Sequence, residues 1–502
     1  MKPAIHFQGH RTEPEAFFER WQRSAAALKS LGVREGDVVA LMLRNGPLAL
    51  ELTLAARWIG ACWCPVNWHF KTDEVDYILA DSNATIFIAD DALLTRLGSL
   101  QNLKSSIFSA NAAGATTSAS GHAVWETARD GAPNLPVPQS PQRGAMFYTS
   151  GTTGRPKGIR RAPATPEQVV AGLAVMRHCM GFEAEKYPQI RALVSAPMYH
   201  SAPNSYSIGA SLQNAELFIE ERFDAEGTLR LIDTHRITHA YLVPTMYVRM
   251  LRLADEVKNR YDLSSMKFVG STGSPCPPDV KRAMVQWWGP VIHESYGSSE
   301  LGYMTRLDSA EALLKPGSAG KALPGVAIAI LDKNQQALPT GQAGLIYAHH
   351  SAVADFTYVG NDAARQKMEV NGLKTMGDIG YLDDDGFLFI VDRSADMVIS
   401  GGVNIYPAEI EAALQMMPGV ADCAVFGVPD EEFGEALLGA VQLAPGSAID
   451  ADAVQAYLKV RLASYKVPKQ IVFHTELPRE DTGKIFKRKL REPYWAGQAR
   501  RV

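Results

Sequence analysis

Long apolar runs are missing from this sequence. No stretch of the 502 residues approaches the ~20 apolar positions that a membrane-spanning helix needs, so no transmembrane segment is expected. The start, Met1-Lys2-Pro3-Ala4-Ile5-His6, has no apolar core of the kind a secretory leader carries, and the expected location is cytoplasmic. Cysteine is scarce. Cys62, Cys64, Cys179, Cys276 and Cys423 are odd in number and widely spread, which excludes a disulfide scaffold and suits buried reduced thiols. Cys62-Trp63-Cys64 has no second pair to complete a zinc site. An excess of either charge is missing too. Fifty Lys and Arg against 54 Asp and Glu leave a net charge of -4, which gives no global reason to bind nucleic acid or anionic lipid. His235 and His239 are four apart, but Arg236 follows His235 where a zinc hydrolase has Glu, and His349-His350 has no third ligand in view.

What is present fits a globular protein. Apolar residues make up 46% and charged residues 21%, an average soluble composition. At roughly 150 residues per domain, the length allows about three domain-sized units. Thr12 to Glu15 has capping-box spacing ahead of Phe17, Phe18, Trp21, Ala25 and Leu28, which recur at helical period. Residues 38–43 and 85–89 read as buried strands and 47–59 as an apolar helix, and this alternation continues to about residue 391. It implies an α/β architecture with mainly parallel sheets. Residues 105–121 are small and polar, and 131–141 hold four prolines; both read as surface connections. Past residue 403 the elements shorten, with helices over 407–416 and 451–462 and strands over 420–428 and 436–443. That is enough for a compact α+β domain.

The densest chemical signal is Tyr148-Thr149-Ser150-Gly151-Thr152-Thr153-Gly154-Arg155-Pro156-Lys157-Gly158. Its glycines let the backbone turn N–H groups toward an anion, and its hydroxyls and cations add donors for phosphate oxygens. A polar turn between strands seldom concentrates so many donors. It lacks the Walker A spacing, which argues against P-loop chemistry. Further along stand Pro197-Met198-Tyr199-His200, Gly273-Ser274-Pro275, Glu294-Ser295-Tyr296-Gly297-Ser298-Ser299-Glu300 and Gly377-Asp378. Asp392-Arg393, a loop with Gly401-Gly402, and Thr482-Gly483-Lys484 complete the series.

In this order, over more than 300 residues, these motifs resemble those of the adenylate-forming superfamily of acyl-CoA synthetases, luciferases and peptide-synthetase adenylation domains. The resemblance implies a large N-terminal domain with several subdomains over 1–392 and a mobile C-terminal cap over 393–502, hinged within 392–396. It implies ATP, Mg²⁺ and coenzyme A as cofactors and a small carboxylic acid as partner; a homodimer stays open. A carboxylate attacks the α-phosphate of ATP, pyrophosphate leaves, and a thiol takes the acyl group.

The resemblance also assigns roles. Thr149, Ser150, Gly151, Thr152, Thr153, Gly154 and Lys157 hold the β- and γ-phosphates. Gly273, Ser274, Pro275, Glu294, Ser295, Tyr296, Gly297 and Ser299 belong to the nucleotide site, with Tyr296 stacked on adenine. Glu300 holds Mg²⁺, Asp378 the ribose hydroxyls, and Arg393 ribose or phosphate. Lys484 bridges carboxylate and α-phosphate, His200 stands beside the carboxylate, and Gly401 and Gly402 line the pantetheine tunnel. Ordinary structural roles compete at each position: a core tyrosine for 296, a turn residue for Asp378, a solvated basic run for Lys484.

Three positions depart from the pattern. Ser299 replaces the commoner Thr, Met376 stands where Ser or Thr is usual, and Ala395 occupies a frequent hinge position. Residues 201–215 follow His200 and carry no charged side chain, which implies an acid with an apolar tail, whether fatty, aryl or alicyclic. The leading expectation is an acid–CoA ligase. Loading of a carrier protein, luciferase-like chemistry and a catalytically silent nucleotide or acyl binder remain as alternatives.

Overall fold

A computed structural model describes residues 1–101, 106–110, 118–133, 139–149, 156–401, 403–479 and 485–496. Among these, a five-stranded sheet runs in the order Cys62–Pro65, Val38–Met42, Ala84–Asp90, Ser106–Ala110, Ala123–Val124, with every pairing parallel. Val38–Met42 is buried at all five positions, as a strand covered on both faces must be. Helix Pro47–Trp58 packs on helix Pro14–Ser30, and Leu52, Ala55, Ala56 and Ile59 join one core with Trp63 and Trp125.

A 14-stranded sheet forms the centre of the molecule. It is parallel through Glu216–Ile219, Arg191–Val194, His239–Leu242, Phe268–Ser271 and Ile292–Ser298. From the hairpin between Ile292–Ser298 and Gly302–Leu307 onward it is antiparallel, out to Val326–Leu331. The expected strand–helix alternation therefore stops near residue 298, because short hairpins replace crossover helices. A three-stranded sheet of Phe356–Tyr358, Lys157–Arg161 and Tyr148–Thr149 lies beside it. Past residue 396, strands Val398–Ser400, Val403–Ile405, Val420–Asp430, Gly434–Leu443 and Gln470–His474 build a separate sheet with helices Pro407–Gln415 and Ala451–Lys459. This is the expected small α+β domain.

Two local expectations fail for physical reasons. Thr12 does not cap the first helix. It pairs with Ile5 in a strand, and the helix starts at Pro14 with Glu13 as its N-cap. Proline pre-sets the first helical torsion and needs no N–H there. Ser106–Ala110, taken for surface connection, is a strand between two parallel neighbours, with Phe108, Ser109 and Ala110 buried. Residues 111–117 and 134–138 lie outside the described set. All five cysteines are free, four of them buried. His239 opens a strand and bonds the Gly181 carbonyl, so no zinc helix forms at 235–239. No helix among the described residues is long and apolar enough to cross a membrane.

One buried carboxyl sets a pH dependence of stability. Glu220 follows strand Glu216–Ile219, is 9% exposed, and accepts a bond from Thr228 Oγ1 at 2.9 Å. Burial pushes its pKa up from 4.5 to about 7. The folded chain thus holds this proton more tightly than the unfolded chain. Its stabilising effect is complete below 4.5 and is lost as pH rises through about 7. Glu220→Gln is expected to raise the thermal midpoint by a few degrees at about pH 8 and by little at about pH 5. Equal shifts at both pH values would contradict this.

Candidate active site

A cleft of about 2860 Å³ opens where the central sheet, the three-stranded sheet and the small domain meet. Strand Ile292–Ser298 supplies Glu294, Ser295, Tyr296 and Gly297 to its wall. The chain reverses at once into Gly302–Leu307. A Cβ on Gly297 would collide with the Gly302 carbonyl, so glycine lets the two strands close. The reversal presents Ser299 and Glu300 to the cleft.

Glu300 is 5% exposed. Its Oε1 accepts bonds from Thr149 Oγ1 at 3.2 Å and from Tyr358 OH at 3.1 Å. Thr149 and Tyr358 flank Lys157–Arg161 in the small sheet, so sheet pairing brings all three elements to the carboxylate. Burial, then the neighbouring Glu300, raises the Tyr358 phenol, which keeps it a donor. Lys157 Nζ sits 5.2 Å from the Tyr358 ring centroid and borders the cleft. Ser299 Oγ donates to Ser201 Oγ at 2.8 Å, which ties the turn to helix Ser201–Leu212.

Arg161 was not read from the sequence, although it lies just beyond the glycine-rich loop. Its half-buried guanidinium donates to the carbonyls of Ala354, Ser299 and Glu300 at 2.9, 2.5 and 2.9 Å. Three carbonyls on one planar fork fix the turn. Burial lowers its pKa, and Glu300 and Asp355 act the other way.

Elsewhere on the wall, Tyr296 OH donates to Asp378 Oδ2 at 2.6 Å, and Arg393 Nε approaches Asp378 Oδ1 at 3.3 Å. Asp378 and Arg393 are cross-strand partners of Leu373–Leu382 and Phe387–Arg393. Gly377, just before Asp378 inside strand Leu373–Leu382, takes the left-handed φ of +83° that favours glycine. Burial, then Asp378, drives the Tyr296 pKa well above its ordinary value. Gly273, Ser274 and Pro275 border the same cleft as Tyr296. Glu294 is paired with Lys281, and both are buried. Burial raises the Glu294 pKa and Lys281 opposes that. Lys281 is a second residue the sequence did not single out. Met376, where a hydroxyl was expected, packs against the apolar cluster of Met304 and Phe356. Beside it, Thr375 Oγ1 accepts the Gly377 N–H at 3.0 Å.

His200 is the N-cap residue of helix Ser201–Leu212, borders the cleft and packs on Tyr199 with centroids 4.3 Å apart. The small domain reaches the cleft through Arg479, Ile485, Phe486 and Lys487. Gly401 does not border it; its N–H donates to the Phe433 carbonyl at 2.9 Å on an exposed loop. The expected phosphate residues Ser150, Gly151, Thr152, Thr153 and Gly154, the tunnel residue Gly402 and the catalytic candidate Lys484 lie outside the described residues.

The two domains touch at defined points. The Ala408 N–H, in the first turn of helix Pro407–Gln415, donates to Asp392 Oδ2 at 3.0 Å. Arg252 donates to the Ala421 and Val420 carbonyls at 2.8 and 3.2 Å. Arg491 donates to the Ala395 carbonyl at 3.1 Å.

Glu300 and Thr149 offer carboxylate and hydroxyl oxygens, the hard donors that Mg²⁺ prefers, so this chain's residues fit that ion. No cluster of three or more His, Cys, Asp or Glu suited to a metal occurs among the described residues. Lys157, Arg393 and Asp378 border one cleft, and helix Ser201–Leu212, which also borders it, carries no charged side chain.

Comparison with known proteins agrees. The model of the AMP-binding enzyme matches residues 1–356, and that of the AMP-binding enzyme C-terminal domain matches 409–484. Feruloyl-CoA synthase of Amycolatopsis sp. is 33% identical over 478 residues, covering 95% of this chain and 92% of that protein. The crystal structure of ATP-bound MatB from Rhodopseudomonas palustris superposes with a TM-score of 0.82 at 28% identity, over 98% of this chain and 96% of that one. O-succinylbenzoate coenzyme A synthetase (MenE) from Bacillus subtilis, in complex with ATP and magnesium ion, gives 0.82 at 25% identity over 97% and 96%. With both domains matched and the sheets arranged in the same way, this chain belongs to the AMP-binding enzymes of the adenylate-forming superfamily.

Proposed function

We propose that this protein is an ATP-dependent carboxylic acid–CoA ligase acting on an acid with an apolar body, fatty, aryl or alicyclic. The observation that carries the reading is the convergence of Thr149, Tyr296, Glu300, Asp378 and Arg393 on one cleft beside His200. In the first step a carboxylate oxygen bonds to the α-phosphorus of ATP. The bond from that phosphorus to the bridging oxygen breaks, and pyrophosphate leaves. In the second step the thiol sulfur bonds to the acyl carbon, the thiol proton is lost, and AMP leaves.

Each residue has a task in this scheme. Asp378, buried and held by Tyr296, accepts bonds from the ribose hydroxyls. Tyr296 presents its ring to adenine, and Gly273, Ser274 and Pro275 border the same cleft. Lys157 and the loop before it bind the outer phosphates. Arg393 pairs with Asp378 and adds a cation near the ribose. Glu300 and Thr149 would hold Mg²⁺, which when bound offsets the charge that builds on the phosphate oxygens. Lys484 follows Arg479, which borders the cleft, and supplies a movable charge between carboxylate and α-phosphate. The domain boundary falls at 392–396, where Asp392 caps the first helix of the small domain. Gly401 and Gly402 serve the second step after that domain turns.

The helix beside His200 supports an apolar acid. Its wall residues Pro203 and Ile208 are buried, and no charged side chain lies in Ser201–Leu212. The aryl acid in the name of the feruloyl-CoA synthase relative is compatible with this wall. ATP–pyrophosphate exchange across fatty and aryl acids, repeated with CoA to detect thioester, tests the reading. Exchange with apolar acids and thioester on adding CoA is expected. A clear preference for malonate would overturn the apolar tail, and no exchange with any acid would overturn the ligase.

A further inference from the structure

The cleft continues well beyond His200. His200, Asn204, Ile208 and Leu212 all border it and recur every four residues, so they share one face of the helix. Twelve residues at ~1.5 Å each make this wall ~18 Å long. Trp63 and Ala145 border the cleft too. Trp63 Nε1 donates to Asn204 Oδ1 at 2.9 Å, which ties Trp63 to the helix. Ile208, Leu212, Ala145 and Trp63 belong to or pack on the cluster that contains Ala56 and Ile59.

Between Ala56 and Ile59 lies Arg57, in the last turn of helix Pro47–Trp58, and it too borders the cleft. Its Nη1 is buried without a hydrogen-bond partner. No hydrogen bond or ion pair reaches its guanidinium among the described residues. Burial pulls its pKa down to about 10, so it is still a cation at neutral pH. Arg143 borders the same region. It donates to Glu35 Oε1 at 2.7 Å, yet its Nε is also buried without a partner. A buried cationic N–H that finds no acceptor among the described residues is costly, and the cleft it borders offers room for one.

We propose that Arg57 forms the far end of the acyl groove and receives a second carboxylate, so that the preferred acid is an α,ω-dicarboxylate with a long apolar middle. This rests on the ligase reading and sharpens it. The reacting carboxylate stands at the His200 end, the methylenes run past Ile208, Trp63 and Leu212, and the distal carboxylate meets the guanidinium. A planar fork suits a carboxylate and gives length selectivity, because only a chain of matching reach places its end there. A short diacid gains nothing, since the helix wall near His200 carries no Lys or Arg.

The test is pyrophosphate exchange with matched pairs: octanedioate against octanoate, dodecanedioate against dodecanoate, hexadecanedioate against hexadecanoate. At the matching length the diacid is expected to have a kcat/KM at least tenfold above its monoacid, expressed in KM. In Arg57→Leu that ratio falls at least tenfold, and Arg57→Lys restores part of it. Monoacids preferred at every length in the unaltered enzyme, or a diacid-to-monoacid ratio unmoved by Arg57→Leu, would overturn the proposal while leaving the ligase intact. No exchange with any acid would defeat the ligase reading, and this proposal with it.

Discussion

Lys484→Ala is expected to lower acid-dependent ATP–pyrophosphate exchange by at least about a hundredfold to a thousandfold. That is the size of effect seen when a preorganised charge is removed from a transition state. Thioester formation from a supplied acyl adenylate should stay within a few-fold of normal. The split follows from the chemistry. In the proposed scheme Lys484 stands between carboxylate and α-phosphate for the first step and turns away with the small domain before AMP is displaced, so its charge serves the first step. Arg479 and Ile485, on either side of the segment carrying Lys484, border the cleft or pair across its mouth. A structural role for Lys484 would depress both half-reactions together. Ordinary exchange in the variant would remove Lys484 from the mechanism.

Glu300→Gln comes next in size. Glutamine keeps the shape and an acceptor oxygen for the Thr149 and Tyr358 hydroxyls, so the turn should hold. What is lost is the negative charge offered to Mg²⁺. Exchange is expected to fall about a hundredfold at ordinary Mg²⁺, and the half-saturating Mg²⁺ concentration to rise at least about tenfold. The thermal midpoint should move little. A Mg²⁺ titration that superposes on that of the unaltered enzyme would show that Glu300 does not serve the ion.

Much of the site was legible because its chemistry is written in short contiguous motifs. Tyr296 and Asp378 are far apart in sequence, yet each sits in its own recognisable string, and the structure joins them at 2.6 Å. Residues that act from behind were not legible. Arg161 and Lys281 work by contacts with carbonyls and a carboxylate that only the folded sheets bring near. Arg57 escaped for the same reason. The helix after His200 shows no charge, and the counter-charge comes from a helix that precedes it by well over a hundred residues. In the fold, the parallel core was readable from apolar runs such as 38–42, buried throughout. Ser106–Ala110 was not, because two serines and an alanine in five positions look like a loop until neighbours on both sides cover them. The switch to antiparallel pairing at residue 298 has no periodicity signal, since both kinds of strand share a period of two.

Arg161 has one more consequence. The turn it braces carries the carboxylate proposed to hold Mg²⁺, and its guanidinium, bonded to the Glu300 carbonyl, is close enough to that carboxylate to feel its charge. The negative charge of Glu300 is therefore answered from within the protein whether or not a metal is bound. Nucleotide and metal can then come and go in each catalytic cycle without the buried turn rearranging to accommodate their charge.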